Sequence, residues 1–298
     1  MPSRGALVCL ASAVAFGAMG IFGKLAYDEG ATVGTLLAVR FLLAAALFWA
    51  LVVATGAARQ VRALSGRDVG IALALGAVGY SAQAGAYFAA LQRLDAGLLS
   101  LLLYTFPAMV TVAAVALGRE RASRRKAGAL VVASAGLILV LAGAGAGALD
   151  PVGALLGVTA AVVYTTYILT SAGVAERVGP LLLSALVCTG AATTLTLATV
   201  FEGDLHLGDV SAAGFGWLAG IAVVSTVGAV SLFFAGLKRV GPTTASILST
   251  AEPVTTVVLA FLAFGESLGP VQLAGGALVL AAALVLSVRS QGRDVAYA

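Results

Sequence analysis

The chain has 298 residues, of which 61% are hydrophobic and 10% charged, with a mean hydropathy of +1.07 and a formal net charge of +4. Soluble domains carry about 25% charged residues, so a soluble fold of this length would have too little polar surface to cover its apolar content, whereas lipid accepts apolar side chains on the outside as well. No basic stripe with interleaved aromatics is present, which argues against a nucleic-acid partner, and Cys9 and Cys188 offer neither a disulfide pattern nor a metal spacing.

A helix needs about 20 apolar residues to cross a bilayer. Runs of that kind predict spans near 5–27, 33–54, 69–92, 96–117, 127–144, 152–172, 180–201, 212–236, 242–264 and 270–288. The first run exceeds the ~7–15 residues of a signal-peptide core and is read as a retained first helix. Pro151, Pro180, Pro242 and Pro270 each stand where a span opens, a place where the missing N–H costs no helical bond. Asp150 is the expected N-cap before Pro151. Pro107 and Pro253 fall inside spans four and nine, where a proline kinks the helix.

Charge then orients the chain. With the N-terminus inside, Arg4, Arg59, Arg62, Arg67, the run from Arg119 to Lys126, Arg177, Lys238, Arg239, Arg289 and Arg293 all face the cytoplasm. The acidic residues Asp28, Glu29, Asp95, Asp150, Glu202, Asp204, Asp209 and Glu266 collect outside, with Arg93. This is the positive-inside pattern. It predicts a multi-pass protein of a bacterial-type inner membrane with both termini cytoplasmic.

Shifted by 146 positions, the chain aligns with itself. Arg93 meets Arg239, Ser100 meets Ser246, Pro107 meets Pro253 and Glu120 meets Glu266. Residues 1–145 and 146–298 therefore read as two five-span repeats of one membrane domain. An odd span number inserts the second copy upside down, an architecture of many secondary transporters. The fold class expected is all-α, with ten transmembrane helices around a central cavity.

The residues Ala15-Phe16-Gly17 through Lys24, Arg40-Phe41, Tyr104-Thr105-Phe106-Pro107 through Gly118-Arg119-Glu120, and Ser249-Thr250-Ala251-Glu252-Pro253-Val254 through Gly265-Glu266 carry a resemblance to the EamA-type, ten-helix branch of the drug/metabolite transporter superfamily. It covers nearly the whole chain. Within that superfamily the chain is similar to amino-acid and metabolite exporters of the YddG type. The resemblance implies export of small metabolites, amino acids including aromatic ones, by alternating access, with no cofactor.

Charges at bilayer depth cost at least ~2.5–3.5 kcal/mol and are functional candidates by default. Glu252, beside Pro253, is the sharpest, able to hold a substrate amine or a proton, with a structural hydrogen bond to a neighbouring helix as the competing role. Arg40 is expected to sit in a structural ion pair, with substrate contact as the alternative, and Lys24 to snorkel from the outer end of span one. Polar and aromatic stripes at helical spacing mark cavity-facing sides: Tyr80, Gln83 and Tyr87 on span three; Ser100, Tyr104 and Thr111 on span four; Tyr164, Tyr167 and Ser171 on span six; Ser246 and Thr250 on span nine. Their hydroxyls and rings suit zwitterionic or aromatic metabolites; helix–helix adhesion by Ser and Thr is the competing role. Pro107 and Pro253 are candidate hinges, one in each repeat. The cluster Glu202, Asp204, His206 and Asp209 matches no metal-ligand spacing and reads as a solvated loop. An intramembrane enzyme lacks its motifs, since neither HExxH nor GxSxG occurs. An exchanger of phosphorylated metabolites or nucleotide-sugars would call for several midplane cations, and Arg40 stands alone. A non-transporting scaffold is the remaining alternative. The partners expected are a small-molecule substrate and the lipid bilayer.

Overall fold

A computed structural model describes residues 4–61, 63–118, 122–143 and 150–287. Every regular element among them is helical. Helices α1 (Arg4–Gly17) and α2 (Met19–Asp28) form one membrane-length segment, followed by α3 (Val33–Ala54) and the single turn α4 (Ala58–Val61). The third segment runs from α5 (Gly66–Ala74) through a π-helical stretch, Leu75–Tyr80, into α6 (Ser81–Leu91). The fourth is α7 (Ala96–Leu103) and α8 (Phe106–Ala116), and α9 (Arg124–Gly143), α10 (Pro151–Val178) and α11 (Pro180–Glu202) follow. The eighth passes from α12 (Ala212–Gly220) through a second π-helical stretch, Ile221–Gly228, into α13 (Ala229–Ser249). The last two are α14 (Ala251–Phe264) and α15 (Pro270–Ser287). Among the described residues eight segments are long and apolar enough to cross a membrane, and Ala251–Phe264 and Pro270–Val285 are shorter apolar helices. Phe201, Val78 and Leu262 are 85%, 71% and 71% exposed, a disposition that water would penalise and lipid accepts.

Local chemistry sets the helix ends. Asp150 caps α10, its Oδ1 accepting from the N–H groups of Val152 (2.8 Å) and Gly153 (3.1 Å), and Arg93 pairs with its other oxygen at 3.0 Å. The Gly153 N–H, then the Arg93 guanidinium, hold the Asp150 carboxyl below the usual carboxylate range. Gly203 and Gly265, at φ +71° and +68°, close α11 and α14 in the left-handed conformation that glycine adopts without strain.

Pro151, Pro180 and Pro270 open helices as predicted. Pro242 does not: α13 continues to Ser249, and the chain breaks at Thr250 instead. A proline inside a helix forfeits one bond and bends the axis without ending it. Span nine is thus the end of α13 plus α14, broken at Thr250, as span four is broken at Tyr104 and Thr105. Pro107 and Pro253 lie within the first turn of α8 and α14, where an amide donor is not needed. The discontinuity therefore stands a few residues before each proline rather than at it.

The breaks occupy positions 104 and 250, and the π-helical stretches begin at 75 and 221; each pair differs by 146. The third and eighth spans thus share an irregularity that no apolar pattern announces. In both, a hydroxyl returns to a carbonyl five residues earlier: Ser81 Oγ donates to Gly76 (2.9 Å) and Thr226 Oγ1 to Ile221 (2.9 Å).

Extensive packing joins α9 to α15, α1 to α13, α3 to α11 and α10 to α6, and α14 also packs against α7. Exchanging first-half spans for their second-half counterparts leaves this pairing unchanged: one with eight becomes six with three, and two–seven, four–nine and five–ten map onto themselves. Two glycines permit the closest approach. A Cβ on Gly76 would lie 1.9 Å from the Val187 carbonyl oxygen, and one on Gly190 would lie 2.1 Å from that of Leu73, so span three and α11 meet backbone to backbone.

Candidate functional site

A cavity of about 470 Å³ opens between the spans. Its wall includes Tyr80, from the end of the π-helical stretch, and Gln83 and Tyr87 from α6. Ser100 comes from α7, Tyr104 from the break in span four, Tyr164 and Tyr167 from α10, and Thr250 and Glu252 from the break in span nine. Pro107 also lines it, whereas Pro253 is buried at the start of α14. The tyrosine faces thus converge on one space. Thr111 and Ser171 lie outside this wall, their hydroxyls donating to the carbonyls of Pro107 (2.9 Å) and Ile168 (3.3 Å). Ser246 falls on α13, and its side chain lies outside the described residues, as does Glu120.

The rings form a continuous run. Tyr80 stacks on Tyr167 at 5.7 Å and Tyr167 on Tyr164 at 6.3 Å. Phe106 meets the edge of Tyr164 at 4.7 Å and lies 5.7 Å from Tyr104. At the far end the Tyr104 hydroxyl is 2.7 Å from the Ser249 carbonyl oxygen and 3.0 Å from Glu252 Oε2. The carbonyl left free by the helix break in one half is therefore answered by the tyrosine at the break of the other, which is how a membrane interior tolerates irregular backbone. Thr256 Oγ1 lies 3.0 Å from the Gly17 carbonyl oxygen, so α14 also meets the end of α1.

Arg40 corrects an expectation. It is 2% exposed, yet no carboxylate lies within ion-pair distance among the described residues. Its neighbours are hydroxyls and rings: Nε donates to Thr226 Oγ1 at 3.1 Å, Nη2 reaches Tyr80 Oη at 3.5 Å, and the guanidinium lies 4.7 Å and 5.3 Å from the ring centroids of Phe41 and Phe88. Span two packs on α11 and beside the second π-helical stretch, which brings Arg40 to hydroxyls and to the cavity wall rather than to an acid.

Lys24 corrects another. Its ammonium pairs with Glu266 instead of reaching for water, and the other Glu266 oxygen accepts from the Ala96 N–H at the start of α7 at 2.8 Å. In the acidic loop Glu202, His206 and Asp209 are exposed, as expected, and Asp204 is half-buried. Asp204 Oδ2 accepts from Gly34 N–H at 2.9 Å, and the Thr32 and Thr35 hydroxyls donate to its carbonyl at 2.8 Å and 3.1 Å, tying the loop to the start of α3.

Several wall residues escape a reading of the sequence. Phe106, Phe48, Phe88, Phe233 and Phe234 line the cavity, but phenylalanines in an apolar run look alike whether they face lipid or substrate. Thr226 and Cys188 also reach the wall. The signal for Thr226 was available, since it is the 146-residue counterpart of Tyr80.

An all-helical bundle with lipid-facing apolar sides and an aromatic, partly charged cavity between its spans defines a multi-pass membrane protein built to hold a small solute. The profile of the EamA-like transporter family matches residues 3–142 and again 151–288, and the chain belongs to that family, as a small-molecule transporter. It is 28% identical over 279 residues to the uncharacterized transporter YcbK of Bacillus subtilis, covering 92% of this chain and 89% of that protein. It is 30% identical over 199 residues to an uncharacterized transporter of Archaeoglobus fulgidus, covering 67% and 70% of the two chains. A crystal structure of a protein with 21% sequence identity superposes over 96% of both chains with a TM-score of 0.64, which shows a shared fold.

Proposed function

We propose that the protein exports small metabolites, amino acids including aromatic ones and related compounds, across the bacterial inner membrane by alternating access. The observation that carries this reading is the cavity itself. A run of aromatic rings leads to Glu252, a carboxylate at membrane depth with no cation within ion-pair distance among the described residues. A charge at that depth is costly unless a substrate or a proton uses it. The matched family profile in each half, the constant offset of 146 and the exchangeable pairing of spans support two inverted repeats. Such repeats supply two related conformations around one site.

The test is saturable flux of an amino-acid panel in proteoliposomes, with and without a pH gradient, comparing wild type with Glu252→Gln. The variant is isosteric, so it is expected to insert and melt like wild type while its flux falls by about tenfold or more, the order of effect of one lost charge-assisted hydrogen bond. Wild-type flux and wild-type pH dependence in a stable Glu252→Gln protein would sink the role of this carboxylate. No saturable amino-acid flux in the wild type would sink the substrate class.

A further inference from the structure

Arg40 and Glu252 line one cavity, one a base and the other an acid. No ion pair joins them, and neither has another ionic partner among the described residues. We propose that together they form a two-pole site for a zwitterion, with Arg40 taking the substrate's carboxylate and Glu252 its ammonium group. The proposal rests on the transport reading above and extends it to the charge pattern of the cargo.

The Arg40 side chain is built to receive an anion. It is almost wholly buried, and an uncompensated buried charge carries a large desolvation penalty. Thr226 and Tyr80 occupy only part of its fork of N–H donors, and a guanidinium fork matches a carboxylate in two parallel hydrogen bonds. The contact to Thr226 fixes the fork's direction, because that hydroxyl is itself committed to the Ile221 carbonyl within the π-helical stretch. Phe41 and Phe88 shield the cation from water by ring contacts. Such packing strengthens the attraction for an incoming anion by lowering the local dielectric.

Glu252 stands at the other end of the ring run, beside Tyr104. The stretch from Tyr80 to Tyr104 offers faces to an apolar or aromatic body lying between the charges. One guanidinium against one carboxylate leaves the cavity without net charge. A singly charged acid or amine would leave one pole unmatched, and a phosphorylated polyanion would meet Glu252 without a second cation to offset it. A zwitterion satisfies both poles at once.

The experiment is competition against labelled phenylalanine counterflow in proteoliposomes, using phenylalanine, phenylalaninamide (no carboxylate), 3-phenylpropionate (no amine) and the dipeptide alanyl-phenylalanine, which sets its charges farther apart. In wild type each single-charge analogue is expected to compete about tenfold or more weakly than a zwitterion. Whichever of phenylalanine and the dipeptide competes better reports the spacing of the poles. In Arg40→Gln the penalty for losing the carboxylate disappears while the penalty for losing the amine persists; Glu252→Gln gives the converse. Should Arg40→Gln fail to fold, Arg40→Lys and the wild-type panel still decide. Equal competition by the zwitterions and both single-charge analogues in wild type overturns the proposal while leaving transport intact, as do folded variants that keep the wild-type selectivity. If no amino acid shows flux, thermal stabilisation of the purified protein by the same panel reads the two-charge requirement directly, and stabilisation that ignores the charges overturns it.

Discussion

The Tyr104 hydroxyl has one proton and two acceptor neighbours, the Ser249 carbonyl at 2.7 Å and Glu252 Oε2 at 3.0 Å. That one proton is shared between the carboxylate and the backbone carbonyl, whose helical donor is missing because its i+4 residue is Pro253, which has no N–H. Removing the hydroxyl leaves that carbonyl without this donor in a setting from which water is largely excluded. Tyr104→Phe is therefore expected to destabilise the protein by about 1–3 kcal/mol, read as a lower melting temperature in detergent. It should also alter flux through Glu252, because the carboxylate loses its positioning contact. A Tyr104→Phe protein that melts and transports as wild type would show that the bond is incidental.

At the scale of elements, the discontinuities explain why the site lies where it does. Spans four and nine each split three residues before a proline, and spans three and eight each carry a π-helical stretch, a distortion common at functional sites. All four irregular segments contribute to the cavity wall. We expect the breaks at Tyr104–Thr105 and Thr250 to be hinges, with Pro107 and Pro253 as the rigid first turns of the moving halves. A helix already interrupted can tilt with little further loss of hydrogen bonds. Spin-label distances between α7 and α8, and between α13 and α14, should change in opposite senses between inward-open and outward-open states. If both bends stay constant while whole spans rock, the hinge idea is wrong and the transport reading stands.

At the scale of the whole molecule, Glu266 links Lys24 of α2 to the first turn of α7 from the loop that follows α14. The contact crosses from the second half of the chain to the first, on the face that the charge asymmetry assigns to the outside. We expect it to latch that face closed. Lys24→Glu and Glu266→Lys should each speed access of a thiol reagent to Cys188, which lines the cavity, and the exchanged pair Lys24→Glu/Glu266→Lys should restore part of the protection. Equal labelling rates in all four proteins would exclude a latch. The orientation behind this expectation has its own check. Cysteines placed in the 55–68 and 119–126 loops should react only from the cytoplasmic side, and reaction from the periplasm would invert the topology.

The sequence by itself determined that the chain lives in lipid, because 61% hydrophobic and 10% charged residues leave no soluble alternative. It determined most helix ends, because proline, glycine and Asp150 act through the backbone within a few residues of themselves. The 146-residue offset, visible at Arg93, Ser100, Pro107 and Glu120, marked the two halves. The tyrosine stripes were legible because helical spacing is local and polar faces in lipid turn inward. Only the tertiary structure decided what Arg40, Lys24 and Pro242 do. The partner of a buried charge is chosen by which spans pack together, so a sequence cannot say that Arg40 meets Thr226 and the cavity while Lys24 meets Glu266. The π-helical stretches were hidden for the same reason: an extra residue per turn is held by close backbone contacts, such as Gly76 against Val187, that join positions far apart in the chain.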